Sequence, residues 1–236
     1  MPSADSPEWL ALGHYRRAGR GWLSQADGKG FFFAPNGKTD PKAELEATIA
    51  AMRDSDARCR FPARAGYIER SGLPLPSRDC PRYAEWRKTI DADAISLVFA
   101  DAFLNNPASM YGHTFLRLRR AGAKGGEWLL DYTLNFAGNP DTDNGLLYAI
   151  KGVFGLFPGT YSTFPYYMKV QEYADIESRD LWEYDLSLSP AAVDRLLAHA
   201  WEMGQTNFDY FFFSENCSYQ LLTLLDAAEP TLGLSA

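Results

Sequence analysis

The residues of this chain best suited to chemistry are a histidine in Tyr111-Gly112-His113-Thr114-Phe115 and a cysteine in Ser214-Glu215-Asn216-Cys217-Ser218-Tyr219. A thiol with an imidazole in reach can carry out acyl transfer. The base takes the thiol proton, the thiolate attacks a carbonyl carbon, and a thioester forms. The competing reading of Cys217 is a buried, inert thiol, among the commonest fates of the residue.

The elements that must position this pair are readable from periodicity and caps. After Cys217, the apolar residues Leu221, Leu222, Leu224 and Leu225 fall at i, i+1, i+3 and i+4, and the run stops at Glu229-Pro230. A helix therefore starts near Cys217. Asn216 or Ser214 is its N-cap, which puts the thiol in the first turn, where unpaired N–H groups favour a thiolate and form an oxyanion site. Asn216, Ser218 and the loop bearing Ser109 are candidates to support that site.

On the histidine side, residues 113–120 read as a strand, Gly122 to Gly126 as a turn and residues 127–136 as a returning strand. Leu116 and Leu118 must share a core face with Trp128, Leu130, Tyr132, Leu134 and Phe136, which fixes the parity of the register. A turn centred on Lys124 then pairs His113 with Asn135, Phe115 with Thr133 and Arg117 with Asp131, the last an opposite-charge pair. Asn135 becomes the residue expected to orient His113, as an amide does in cysteine proteases. The alternative is an ordinary hairpin with a polar outer face. Ala94 to Ala100 reads as a buried central strand, residues 180–186 as another, and Ser189-Pro190 as the start of a helix ended by Gly204. His199 falls off the buried stripe of that helix, and His14 has no ligand-type neighbour at metal spacing, so neither a metal nor a cofactor is expected.

The set formed by Ser109 to Arg117, by Glu172-Tyr173 with Arg179 to Tyr184, and by Tyr210 to Ser218 resembles the Lnb N-terminal periplasmic domain family, a circularly permuted relative of NlpC-type and papain-like thiol enzymes. Residues 8–50 look like the small domain that often precedes it. The resemblance implies an α+β fold, a circularly permuted papain-like or NlpC-like antiparallel sheet packed on helices, with a small helical N-terminal extension. It implies acyl transfer as well. The family's namesake resembles an enzyme that moves a fatty acyl chain onto the terminal amine of lipoproteins, so a phospholipid donor, a lipoprotein acceptor and a membrane surface are the expected partners. Two other functions stay open: a cysteine amidase or peptidase acting on cell-wall peptides, and a non-catalytic envelope module.

The bulk properties bound these readings. A chain of 236 residues with 46% apolar content can bury a sizeable core. Its net charge of −7 argues against nucleic acid and gives no overall pull toward an anionic membrane, so any lipid contact must be apolar. The division expected is residues 1–82, an extension with a proline-rich loop, and residues 83–236, the thiol domain. Cys59 and Cys80 flank that loop and read as a disulfide, leaving Cys217 as the single free thiol. Two reduced cysteines are the alternative. No secretory signal or spanning segment is evident, and the family's members are exported, so a periplasmic or envelope location with a leader removed is expected. Residues 145–168 interleave Gly145, Gly152, Gly155 and Gly159 with aromatics and read as a long loop. Phe154, Phe157, Tyr161 and Phe164 are its candidate walls for an acyl chain, unless these rings complete the core.

Overall fold

A computed structural model describes the chain except for residues 55, 102–111, 123, 124, 140–144, 177–179 and 236. It resolves into two compact units that interleave along the sequence. One comprises Met1–Glu85, Arg195–Phe208 and Leu222–Ala236, the other Trp86–Asp194 and Asp209–Leu221.

In the first unit, helix α1 (Pro7–Leu12) is capped by Ser6, whose Oγ accepts the Trp9 amide at 3.1 Å. A hairpin of β1 (Tyr15–Ala18) and β2 (Gly21–Ser24) follows. Helix α2 (Pro41–Asp54) opens at Asp40, whose Oδ1 accepts the Lys42 and Ala43 amides. The short α3 (Ala57–Arg60) and then α4 (Pro62–Arg70) complete the N-terminal segment. Trp9, Leu12, Phe31, Met52, Phe61 and Ile68 form its apolar interior. A disulfide joins Cys59 to Cys80, as the proline-rich loop between them suggests.

The second unit is built on a sheet. After α5 (Pro81–Ile90) come β3 (Ala92–Ala100), β4 (His113–Arg120), β5 (Tyr132–Gly138), helix α6 (Gly145–Phe154), β6 (Pro158–Pro165), the single-turn helix α7 (Tyr166–Val170), a π-helical turn at Gln171–Ile176, and β7 (Leu181–Asp185). With the two-residue β8 (Phe208–Asp209), the strands form a six-stranded antiparallel sheet in the order β7-β3-β4-β5-β6-β8. The protein is thus mixed α+β, and β3 is the interior strand that the Ala94–Ala100 run announces.

Two sequence expectations fail here. Residues 127–136 are not one strand: a 3₁₀ helix occupies Gly125–Leu130 before β5 begins. The longer connection shifts the register by two residues, so that Leu116 faces Leu134, Arg117 faces Thr133 and Leu118 faces Tyr132. Parity survives, because Leu116, Leu118, Leu134 and Phe136 all stay buried. Arg117 still meets Asp131, at 2.8 Å from Nε, by reaching along the strand rather than straight across. Nor is the 145–168 segment a loop. It folds into α6, β6 and the start of α7.

Helix α8 (Pro190–Met203) opens at Ser189, whose Oγ accepts the Ala192 amide, and α9 (Cys217–Ala228) is the last helix among the described residues. In the first unit His199 corrects its expected exposure, being fully buried. Its Nε2 lies 3.0 Å from His14 Nε2, and its Nδ1 lies 3.0 Å from Glu202. Glu202 in turn accepts the amides of Ala63 and Arg64 at the start of α4. A second polar residue of α8 therefore faces inward because it has a partner 185 positions away, which periodicity cannot reveal. His14 holds a left-handed backbone (φ +50°) to reach it.

Burial pushes both imidazoles down, His199 to about 3, and pushes Glu202 up to about 7. As pH falls below 6.5 the unfolded chain takes up a proton on each histidine, uptake that burial opposes in the folded unit, whereas Glu202 holds its proton in the folded unit and not in the unfolded chain until pH nears 4.5. Two histidines outweigh one carboxyl, so this cluster should lose stability as pH falls from about 6.5 toward about 4.5, by at most about 1.4 kcal/mol per pH unit. Chemical denaturation midpoints across the window check this. Replacing His14 with Gln should flatten the dependence, and an unchanged slope would show that the cluster does not titrate on unfolding.

Candidate active site

Cys217 is the first residue of α9, and Asn216 is its N-cap: Asn216 Oδ1 accepts the Tyr219 amide at 3.2 Å, while Nδ2 donates to the Phe212 carbonyl at 3.0 Å. Both ends of that amide are therefore committed to holding the turn. The thiol is buried, at 8% exposure, and is the free cysteine of the chain. Its neighbour Ser218 shares a 2.9 Å hydrogen bond with Thr114 Oγ1, next in sequence to His113. This bond ties the start of α9 to the start of β4, across 104 residues of chain.

Consecutive strand residues point to opposite faces. Thr114, Leu116 and Leu118 face α9, whereas His113, Phe115 and Arg117 face the side covered by α7 and the π-helical turn. On that side Val98, Ala100, Phe115, Tyr166 and Tyr173 form a core cluster. His113, half-buried, has its ring 6.1 Å from Phe115 and 6.2 Å from Tyr173. The ring thus leaves the sheet on the face opposite the one where Thr114 meets Ser218, and no hydrogen bond joins it to the thiol among the described residues.

Gly112 sets the entry into β4. Its φ of +93° is left-handed, and a Cβ there would lie 2.5 Å from the Phe99 ring and 3.0 Å from the Ala100 carbonyl oxygen. Any side chain would strain the backbone and push aside the residue that carries the imidazole.

His113 opens onto a cavity of about 160 Å³, lined also by Asn135, Ser162, Phe164, Lys169, Glu172, Tyr173 and Tyr210. Lys169 pairs with Glu172 at 2.7 Å and lies over the Phe164 and Tyr173 rings. The revised register moves Asn135 from the position opposite His113 to a diagonal one, still on the same face. The hydrogen-bond network decides which way its amide points. Thr133 Oγ1 gives its one proton to the Phe164 carbonyl at 3.0 Å, so it must accept from Asn135 Nδ2 at 2.8 Å. Asn135 Oδ1 is left buried with no hydrogen-bond partner among the described residues. A buried acceptor without a donor is costly, and this one lies in the wall of the His113 cavity.

The other candidates divide. Phe164 lines the cavity. Phe157, 2% exposed, packs on Tyr210 and Phe212 in the core, and Tyr161 spends its hydroxyl on the Gln220 carbonyl at 2.6 Å. Phe154 is 66% exposed. Ser109 lies outside the described residues. Lys169 and Glu172 were missed as lining groups, although Glu172-Tyr173 belongs to the stretch that carries the resemblance. No group of metal-ligating side chains occurs among the described residues.

The chain is thus an α+β protein with one disulfide and a buried free thiol at a helix start, and the family comparison makes the class specific. The model of the Lnb N-terminal periplasmic domain matches residues 82–236, and the chain belongs to that family. It is a periplasmic domain. Residues 3–71 match a domain of unknown function (DUF7843). No curated protein and no solved structure matches the chain. Among the described residues no helix is long and apolar enough to cross a membrane.

Proposed function

We propose that this domain is a thiol acyltransferase of the cell envelope, on a circularly permuted papain-like plan, with Cys217 as nucleophile, His113 as general base and acid, and Asn135 as the residue that orients His113. The observation that carries the reading is the Thr114–Ser218 hydrogen bond, which holds the strand start bearing the imidazole against the helix start bearing the thiol. The free Asn135 Oδ1 supports it, since a ring N–H of His113 is the donor that this acceptor lacks. Catalytic hydrogen bonds are often long before substrate binds, and the approach of ring and thiol is part of this proposal.

In the reaction, the Cys217 thiolate attacks the ester carbonyl of a phospholipid while His113 holds the thiol proton. The ester C–O bond breaks, and the lysophospholipid oxygen leaves with that proton. Backbone N–H groups in the first turn of α9 receive the oxyanion. The terminal amine of a lipoprotein then attacks the thioester, giving the amide and restoring the thiol. The phospholipid donor and lipoprotein acceptor rest on the family resemblance. No metal or cofactor is called on.

Mass spectrometry of Cys217 after incubation with phospholipid tests this: an added acyl mass released by hydroxylamine is expected, and an unmodified thiol would overturn the donor. The lining of the His113 cavity favours one second reading. Asn135, Ser162 and the Lys169–Glu172 pair give it a polar side beside its aromatic one, and that polar side suits a peptide substrate with water as the acceptor. Turnover of cell-wall peptides without acylation from lipid would establish that reading.

Replacing Asn135 with Ala should lower kcat by about ten- to a hundredfold and leave KM little changed, because the imidazole loses its orientation rather than the substrate its contacts. The pH profile of kcat should shift as well. A loss confined to KM would place Asn135 in substrate binding instead.

A further inference from the structure

The wall of the His113 cavity holds a cation with too few acceptors. Lys169, on α7, has a side chain only 15% exposed, and its ammonium lies 5.5 Å from the Phe164 ring and 5.2 Å from the Tyr173 ring. Among the described residues its one hydrogen bond goes to Glu172, at 2.7 Å. An ammonium carries three N–H donors, and ring faces attract its charge without taking the place of an oxygen acceptor. Two donors are thus left for a ligand. Glu172, 44% exposed, is the more accessible member of the pair and can turn to a new partner.

Size and position limit that ligand. The cavity holds about 160 Å³, below the ~300–1,000 Å³ of sites for drug-sized molecules, so it takes a small polar group and not a fatty acyl chain. The Lys169 ammonium and the His113 ring both flank the Tyr173 ring, at 5.2 and 6.2 Å, which puts them at most about 11.4 Å apart. A group held by Lys169 is therefore anchored on the same side of the sheet as the base.

The polarity of the pair names the ligand. A lysine alone would suit any anion. With a carboxylate beside it the unit is neutral, and a bare anion would meet repulsion from Glu172. The complement is a small zwitterion that brings the charges in reverse, an anion for Lys169 and an ammonium for Glu172. Phosphatidylethanolamine carries such a pair, a phosphate and an amine joined by a short arm, with its ester carbonyls on the glycerol at the other side of the phosphate.

We propose that Lys169 and Glu172 form a head-group subsite for a phospholipid bearing an amine, with the phosphate on Lys169 and the amine on Glu172. That the bound lipid then gives its acyl chain to Cys217 rests on the acyltransferase reading, whereas the binding does not.

The test is titration of the full 236-residue chain with glycerophosphoethanolamine, the deacylated head group, followed by amide NMR shifts. Saturable binding with shifts at Lys169, Glu172 and Tyr173 is expected. Lys169→Met keeps the stem on the rings and removes the charge, and should weaken binding by about tenfold, while Lys169→Arg should restore most of it. Glu172→Gln, at a position exposed enough to leave the fold intact, should weaken glycerophosphoethanolamine by about threefold. The same variant should tighten glycerophosphoglycerol, which has the phosphate without the amine, because the competing carboxylate is gone. The proposal is overturned if the wild-type chain shows no saturable binding, if Lys169→Met binds as well as wild type, or if Glu172→Gln moves both head groups in the same direction. Tighter binding of a cell-wall stem peptide with the same dependence on Lys169 and Glu172 would also overturn it, by assigning the pair to a peptide. Mass spectrometry of Cys217 after incubation with phosphatidylethanolamine separates the two claims. Head-group binding with these dependences and no acyl mass would overturn acyl transfer and leave the subsite, whereas acylation indifferent to Lys169→Met and Glu172→Gln would overturn the subsite and leave acyl transfer.

Discussion

Cys217→Ala should lower acyl transfer by about a thousandfold or more, since Cys217 is the free thiol of the chain and its removal leaves only binding and electrostatics. Cys217 is 8% exposed, and alanine at the first position of a helix is well tolerated, so the fold should survive. The pairing of this variant with His113→Ala is informative. If the two side chains act as one unit, the double variant should be no worse than either single one. Full activity in Cys217→Ala would remove the thiol mechanism, and no activity in the wild-type chain would leave the non-catalytic reading of this domain standing. Additive losses would separate His113 from the nucleophile.

The second large effect is on stability. Glu44, 1% exposed, accepts the amides of Phe33 and Ala34, the Thr48 hydroxyl and Arg64 Nη1 at 3.0 Å. Arg64 is itself fully buried, stacked over Phe31 at 4.2 Å and Phe61 at 4.5 Å. Glu44→Ala would strand a guanidinium and two amides away from water, and a loss of about 3–5 kcal/mol is expected for the first unit in urea denaturation. Glu44→Gln keeps an acceptor and should cost less. A loss below about 1 kcal/mol for the alanine variant would mean that water reaches Arg64, against its burial. The measurement also bears on how the units depend on each other, because acylation assayed in Glu44→Ala at low temperature reports whether the second unit works while the first is weakened.

The sequence by itself determined the local elements of the site and the faces of its strands. Asn216 caps the helix that begins at Cys217, Ser189 and Pro190 open the helix before it, and the Ala94–Ala100 run is an interior strand, because caps and periodicity are decided by residues a few positions apart. Cys59 and Cys80 were legible for a similar reason, a short proline-rich loop between the only two cysteines outside the candidate site. Alternation also settled which residues of β4 and β5 face the core. It could not settle how far β5 slides, since a shift of two keeps every side chain on its face, and the 3₁₀ turn at Gly125–Leu130 supplied that shift. Only the tertiary structure decided the rest. The free Asn135 Oδ1 depends on where Thr133 spends its proton, and the His14–His199 pair on a contact between residues 185 apart. Each turns on the partner a side chain meets across the fold, and a linear pattern carries no distance between such partners.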